Sequence, residues 1–299
     1  MKFQVGLAQI GPSLGNLEVN AKIIRGELKK AIKKGVDLLI FPELSVTGYF
    51  LKDIVPEAAL KKNSPLLREI AAMSGDISIV AGFIEESSRY GFYNAAGYFE
   101  GGKLVHLHRK LYLPTYGLFD EARYVGAGKQ VRAFDTRFGR AAILICEDAW
   151  HPSLAYIASQ DGADFLIVPS SSPARGVKKQ NGRKASLAIE RQWRALCRSH
   201  AAVFNQFVFF CNRVGYEDGI SFWGGSEIIL PSGEELVTAP RWKPQLVTAE
   251  VNTADVRRAR IASPTLRDED LHLTLRELRR IQAERNEQSG LHNVVRKVK

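Results

Sequence analysis

The chain has 299 residues, 45% of them hydrophobic and 25% charged, which suits a globular protein of one large α/β domain or two small ones. Its formal net charge is +10, it has three cysteines without a CxxC pair, and no apolar run approaches the roughly 20 residues of a membrane helix. This argues against a membrane-spanning chain, a disulfide scaffold and a zinc ribbon, and the N-terminus lacks the long apolar stretch of a signal peptide, so a cytoplasmic protein is expected.

Strands and helices alternate along the chain. Phe3–Ile10 reads as a strand, and Leu17–Lys34 as a helix with Ile24, Leu28 and Ile32 four apart and Gly35 as its stop. The apolar run Val36–Phe41 is a strand that ends in Pro42, with Glu43 at its tip. Pro65–Met73 follows as a helix and Ile77–Ile84 as a strand. Ala95–Glu100 and Lys103–His108 form a hairpin across Gly101-Gly102, and Lys110 stands just beyond its second strand. A further hairpin pairs Val131–Arg137 with Arg140–Ile145, and Cys146 stands at its end. Gly126-Ala127-Gly128-Lys129 lacks the remaining spacing of a phosphate loop and reads as a turn. Helices are expected over Pro152–Gln160, Lys184–His200 and Asp268–Glu284, and strands over Asp164–Val168, Gln206–Cys211, Ser226–Leu230 and Leu246–Val251. No linker or repeat divides this series, so one domain is expected over residues 1–285, with 286–299 as a basic C-terminal tail. Hairpins mixed with helical crossovers suggest two packed sheets with helices outside.

A carboxylate, an amine and a thiol thus each stand where a strand gives way to a loop, the place where α/β sheets build their sites. A thiol nucleophile, a base to move protons and a cation for an oxyanion are what amide hydrolysis requires. Each residue taken alone has a structural alternative: Cys146 a small buried hydrophobe, Glu43 a loop carboxylate or helix cap, Lys110 a surface amine. Only their occurrence together in matching contexts points to chemistry. Cys197 and Cys211 read as core residues. His106 and His108 share a strand face without a third ligand, so no metal site is expected. Eight basic residues against one acid, Glu190, lie between Arg175 and Arg198. They read as a solvated face, a site for an anionic substrate group or a subunit interface; nucleic-acid binding is not expected, because aromatics barely interleave with the charges.

The segment Phe41–Tyr49 resembles the glutamate motif of the nitrilase (carbon–nitrogen hydrolase) superfamily. Arg109-Lys110 with Leu113-Pro114 resembles its lysine motif, and Leu144–Asp148 its cysteine motif, in the same order. Lys110–Glu121, Asn212–Gly215 and Phe222–Ser226 are similar to the glutamine-hydrolysing domain of glutamine-dependent NAD synthetases. The resemblance implies a four-layer α-β-β-α sandwich of the nitrilase type, often paired into a homodimer or higher homo-oligomer, acting on a small-molecule amide without cofactor. It implies Glu43 as general base, Lys110 as oxyanion stabiliser and Cys146 as the nucleophile that forms a thioester. Glu121 matches a second glutamate that orients lysine and substrate, and Tyr116 a pocket tyrosine; Glu147 and Tyr49 are further substrate-binding candidates. The structural alternatives are a Glu121–Arg123 pair and Tyr116 packed on Phe119. Glu147 stands where true nitrilases carry tryptophan, which favours amides over nitriles. The alternatives are a nitrile hydrolase and an ammonia-supplying, glutaminase-like subunit of a separate synthetase; the synthetase half itself has no counterpart in the sequence.

Overall fold

The structure is a computed structural model that describes residues 1–180 and 183–297, with side chains described outside 177–186 and 288–297. In chain order, β1 (Lys2–Gln9) leads through α1 (Leu17–Lys33) to β2 (Leu38–Ile40). Then come α2 (Val55–Ala58), α3 (Pro65–Met73), β3 (Ser78–Glu86), β4 (Phe92–Glu100) and β5 (Lys103–Arg109). The second half begins with β6 (Phe134–Thr136), β7 (Gly139–Ile143), α4 (Pro152–Gln160) and β8 (Phe165–Ser170). It continues with β9 (Val177–Gln180), β10 (Arg183–Leu187), α5 (Ala188–Phe204), β11 (Phe207–Asn212), β12 (Val214–Glu217) and β13 (Ile220–Trp223). After β14 (Glu227–Ile229), β15 (Glu235–Thr238) and β16 (Gln245–Asn252), the chain ends in α6 (Ala254–Ala262), α7 (Thr265–Asp268) and α8 (Leu271–Lys297).

Two six-stranded sheets result, ordered β16-β1-β2-β3-β4-β5 and β15-β14-β11-β8-β7-β6. In each, three strands run parallel: β1, β2 and β3 in one, β7, β8 and β11 in the other. Antiparallel strands complete both edges. Strands buried on both faces need continuous apolar runs, which is why Leu38–Ile40 and Phe207–Cys211 carry no alternation. The sheets meet face to face. Phe3 of the first stacks on Phe138 at 4.3 Å and meets Phe165 edge-on at 5.5 Å. The Cys211 thiol of β11 reaches the Ile40 carbonyl of β2 at 3.2 Å. Cys211 and Cys197 are both fully buried, the core places the sequence gives them. Helices α1 and α3 bury one apolar face on the first sheet; α4 and α5 do so on the second. This is the α-β-β-α sandwich.

One expectation shifts, and two features are added. The helix expected from Lys184 begins at Ala188, because 183–187 is strand β10, paired with β9. Hairpin β12–β13, turning at Asp218-Gly219 with φ of +49° and +76°, adds a pair not foreseen. The chain divides into compact units of residues 1–263 and 264–299, and residues 286–297 form the end of α8. In the second unit, Asp270 caps α8 by accepting from Leu273 N at 2.9 Å, and Arg280 bridges Glu277 and Glu284, each at 2.8 Å.

Candidate active site

Glu43, Ser171 and Cys146 follow the carboxyl ends of parallel strands β2, β8 and β7, while Lys110 follows β5. The β2 loop turns at Leu44, whose φ is +49°. It seats on β3 at Gly82, where a Cβ would lie 2.4 Å from the Leu44 nitrogen. Only glycine permits that approach. The Glu43 carboxylate is 1% exposed, so it depends on protein donors. Lys110 Nζ and Asn94 Nδ2 each donate to Oε1 at 2.8 Å, and Ser171 N donates to Oε2 at 2.8 Å. The Ser171 hydroxyl also donates to the Glu43 carbonyl at 3.1 Å.

Lys110 is held at both ends. Its N–H donates to the Asn94 carbonyl at 2.8 Å, and its carbonyl accepts from Gly128 N at 2.7 Å. Gly128 approaches so closely that a Cβ there would lie 2.2 Å from the Arg109 carbonyl oxygen, which gives the glycine-rich turn its place. The ammonium is wholly buried between two carboxylates, Glu43 at 2.8 Å and Glu121 at 2.6 Å. Burial, the largest influence, pulls its proton affinity down; Glu121 and Glu43 together outweigh burial and hold it well above the ordinary lysine range. Burial pushes Glu121 up to about 7, with Lys110 pulling it down and Glu43 pushing it up. Glu121 thus pairs with Lys110, and its Oε1 also takes the Tyr49 hydroxyl in a short hydrogen bond.

Cys146 opens a single 3₁₀ turn, Cys146–Trp150, with φ of +46°, a region that non-glycine residues seldom adopt. Asp148 secures this turn. Its Oδ1 accepts from Leu111 N and Tyr112 N at 2.9 Å each, and its Oδ2 accepts from Ile145 N at 3.1 Å and meets His108 Nε2 at 3.0 Å. One buried carboxylate therefore ties the cysteine turn to the segment that follows Lys110. Cys146 stands in the field of Glu43, Lys110 and Glu121. Burial first, then Glu43, keep the proton on sulfur, while Lys110 and the Ser171 backbone pull the other way.

The thiol opens into a cleft of about 260 Å³ lined by Tyr116, Phe119, Glu147, Trp150, Arg175 and Gln192 among others. Tyr116 donates its hydroxyl to the Glu147 carboxylate at 2.8 Å and packs edge-on against Phe119 at 5.7 Å. Arg175 lies 4.7 Å over the Phe119 ring. A carboxylate and a guanidinium thus border one cleft. Tyr49, expected to face substrate, turns its hydroxyl to Glu121 and does not line this cleft. Of the eight basic residues between Arg175 and Arg198, the side chains of Lys178, Lys179, Arg183 and Lys184 lie outside the described residues.

Two residues of the site, Asn94 and Ser171, carry no mark in the sequence, and Asp148 stands there only as the end of the cysteine motif. Ser171 was within reach of the strand-tip argument, since it follows the run expected over Asp164–Val168. His106 stacks on Phe134 at 4.1 Å while His108 pairs with Asp148, so the two histidines have separate structural partners. Among the described residues no cluster of metal-ligating side chains occurs.

The carbon–nitrogen hydrolase family pattern matches residues 4–261. The glutamine-dependent NAD(+) synthetase of Acinetobacter baylyi is 30% identical over 259 residues, 87% of this chain and 46% of that protein. The structure of glutamine-dependent NAD+ synthetase from Acinetobacter baumannii superposes with a TM-score of 0.75 at 29% identity, covering 86% of this chain and 47% of that one. A carbon–nitrogen hydrolase from Helicobacter pylori shares the fold at a TM-score of 0.80 and 24% identity, over 93% of this chain and 99% of that one. This chain thus spans less than half the length of either synthetase. With nearly its whole first unit matched, the chain belongs to the carbon–nitrogen hydrolase family.

Proposed function

We propose that the protein hydrolyses the amide of a small molecule through a thioester on Cys146. The observation that carries this reading is the buried cluster of Glu43, Lys110 and Glu121 set beside a thiol that opens into a cleft. In the first step the thiol proton passes to Glu43 as sulfur bonds to the carbonyl carbon. The oxyanion that develops is stabilised by the Lys110 ammonium and the Glu147 N–H. Collapse breaks the carbon–nitrogen bond, and Glu43 returns the proton to the departing amine. Water then adds to the thioester carbon while Glu43 takes its proton, and the carbon–sulfur bond breaks as Glu43 returns that proton to sulfur, leaving acid and free thiol. No cofactor takes part in this course.

The substrate class follows from the cleft. Glu147 with Tyr116 offers an acceptor for an ammonium group, and Arg175 a partner for a carboxylate, so an amino acid with a side-chain amide fits, as the name of the synthetase relatives suggests. Ammonia release is expected from such amides in preference to neutral amides of equal length. Arg175→Ala should raise KM for the carboxylate-bearing substrate alone; equal losses for both substrates would sink this assignment. A second reading rests on the likeness to under half of the synthetases: the ammonia is delivered to a separate synthetase. Ammonia yield that rises only when such a partner is added would favour it.

A further inference from the structure

The hairpin β12–β13 reaches the site from the far side of Tyr49. Glu217 ends β12, immediately before the Asp218-Gly219 turn, and is 5% exposed. Its Oε1 accepts from two consecutive backbone amides, Tyr49 N at 2.8 Å and Phe50 N at 2.7 Å. Its Oε2 accepts from Arg213 NH1 at 2.7 Å. Arg213 is fully buried, donates also to the Pro12 carbonyl at 3.2 Å and lies 4.2 Å over Phe222. Lys52 pairs with Asp218 at the hairpin tip, 2.5 Å apart. The loop that starts with Glu43 is therefore clasped again at residues 49–52. Between these points stands Tyr49, whose hydroxyl meets the same Glu121 oxygen that receives the Lys110 ammonium.

We propose that Glu217, held by Arg213, is a positioning residue: it fixes the Tyr49–Phe50 backbone, so that the Tyr49 hydroxyl stays on Glu121 and Lys110 is shared between Glu121 and Glu43. Charge-assisted bonds to two successive amides define the course of a loop far better than one neutral bond. With the Tyr49 donor gone, the Glu121 oxygen loses one of its two partners and draws the ammonium toward itself, away from Glu43 and the thiol. The effect travels through Tyr49, not through the cleft, so it acts on the chemical step and not on substrate affinity. This rests on the amide-hydrolase reading for its turnover data, and a second readout stands apart from it.

The test is a double-mutant cycle of Glu217→Ala and Tyr49→Phe, with Glu217→Gln as the conservative variant. Glu217→Ala is expected to lower kcat roughly ten-fold, the scale of loss when the support of a site residue is removed. KM should stay within about two-fold, because Tyr49 does not line the cleft. In the Tyr49→Phe background the same substitution should change kcat by less than about two-fold, since both act through one contact. Glu217→Gln keeps an acceptor for the two amides but loses the charge that faces Arg213, and should recover part of the loss. The cycle is also read from the rate at which iodoacetamide alkylates Cys146, followed by intact mass; Cys197 and Cys211 are fully buried. Slower alkylation in both single variants, without further slowing in the double variant, supports the proposal. Multiplying effects, or a Glu217→Ala variant less stable but unchanged in kcat and alkylation, would overturn it. A wild-type protein that releases no ammonia from any amide defeats the functional reading only, and the alkylation cycle still decides the role of Glu217.

Discussion

Lys110→Met removes a buried cation and leaves its aliphatic stem nearly intact, so it isolates the charge. At about 2.7 Å and an effective dielectric of about 20, each carboxylate attracts the ammonium by about 6 kcal/mol before desolvation is subtracted. Desolvation takes back most of that, and breaking such a buried arrangement costs about 3–5 kcal/mol, because uncompensated charge is left behind. Here two carboxylates, Glu43 and Glu121, would face each other without the ammonium, and the pair would take up a proton. Glu121 already stands at about 7 with the cation present, above its ordinary range, and losing the cation moves it further up. A carboxyl raised in the folded state binds its proton more tightly than the unfolded chain does, so the stability it lends is present at low pH and lost as pH rises through the folded value. Denaturant unfolding monitored by circular dichroism should therefore show a loss of about 3–5 kcal/mol at pH 8 and a smaller loss at pH 5. Adding Glu121→Gln should recover part of the loss at pH 8. A loss below about 1 kcal/mol at pH 8, or one equal at both pH values, would show that the ammonium does not hold the two carboxylates together.

Glu227→Gln concerns a second buried carboxyl, which has neither oxygen hydrogen-bonded in the structure and is pushed up to about 7, chiefly by burial, with Arg194 pulling it down and Glu235 pushing it up. The same sign applies: wild-type stability should fall between pH 5 and pH 8, and the glutamine variant should show a flatter unfolding profile. Cys146→Gly relieves a non-glycine residue at φ of +46°, so it should unfold at higher denaturant than Cys146→Ala, by about 1 kcal/mol. Gly82→Ala forces a methyl against the Leu44 backbone nitrogen; a destabilisation of about 1–3 kcal/mol and a lower kcat are expected, and a neutral result on both would show that the Glu43 loop is not seated as described.

The parts of this molecule that the sequence announces are those with a local signature. The runs before Glu43 and Cys146 are apolar because both faces of their strands are covered, and that burial reads directly as composition. Helices Pro65–Met73 and Pro152–Gln160 begin at prolines and match the expected bounds. What is lost is whatever depends on distant backbone. Glu217 finds its partners 168 and 167 residues away, on main-chain amides that any residue would supply. Asp148 likewise accepts from Leu111 N and Tyr112 N, bonds without a complementary side chain. The place of Tyr49 beside the glutamate motif says nothing of the direction its ring takes, and its hydroxyl turns to Glu121. Strand β10 was hidden because the helical pattern of α5 extends back through residues 184–187 and does not distinguish a helix start from a strand end.

Hydrolysis by this route requires a covalent bond between Cys146 and the acyl group of an amide. Intact-mass spectrometry of the protein quenched in acid within seconds of mixing with a panel of side-chain amides tests it most directly. An added mass equal to the acyl group is expected, absent from Cys146→Ala and longer-lived in Glu43→Gln. An adduct that survives Cys146→Ala, or ammonia release that the alanine variant retains in full, would contradict it.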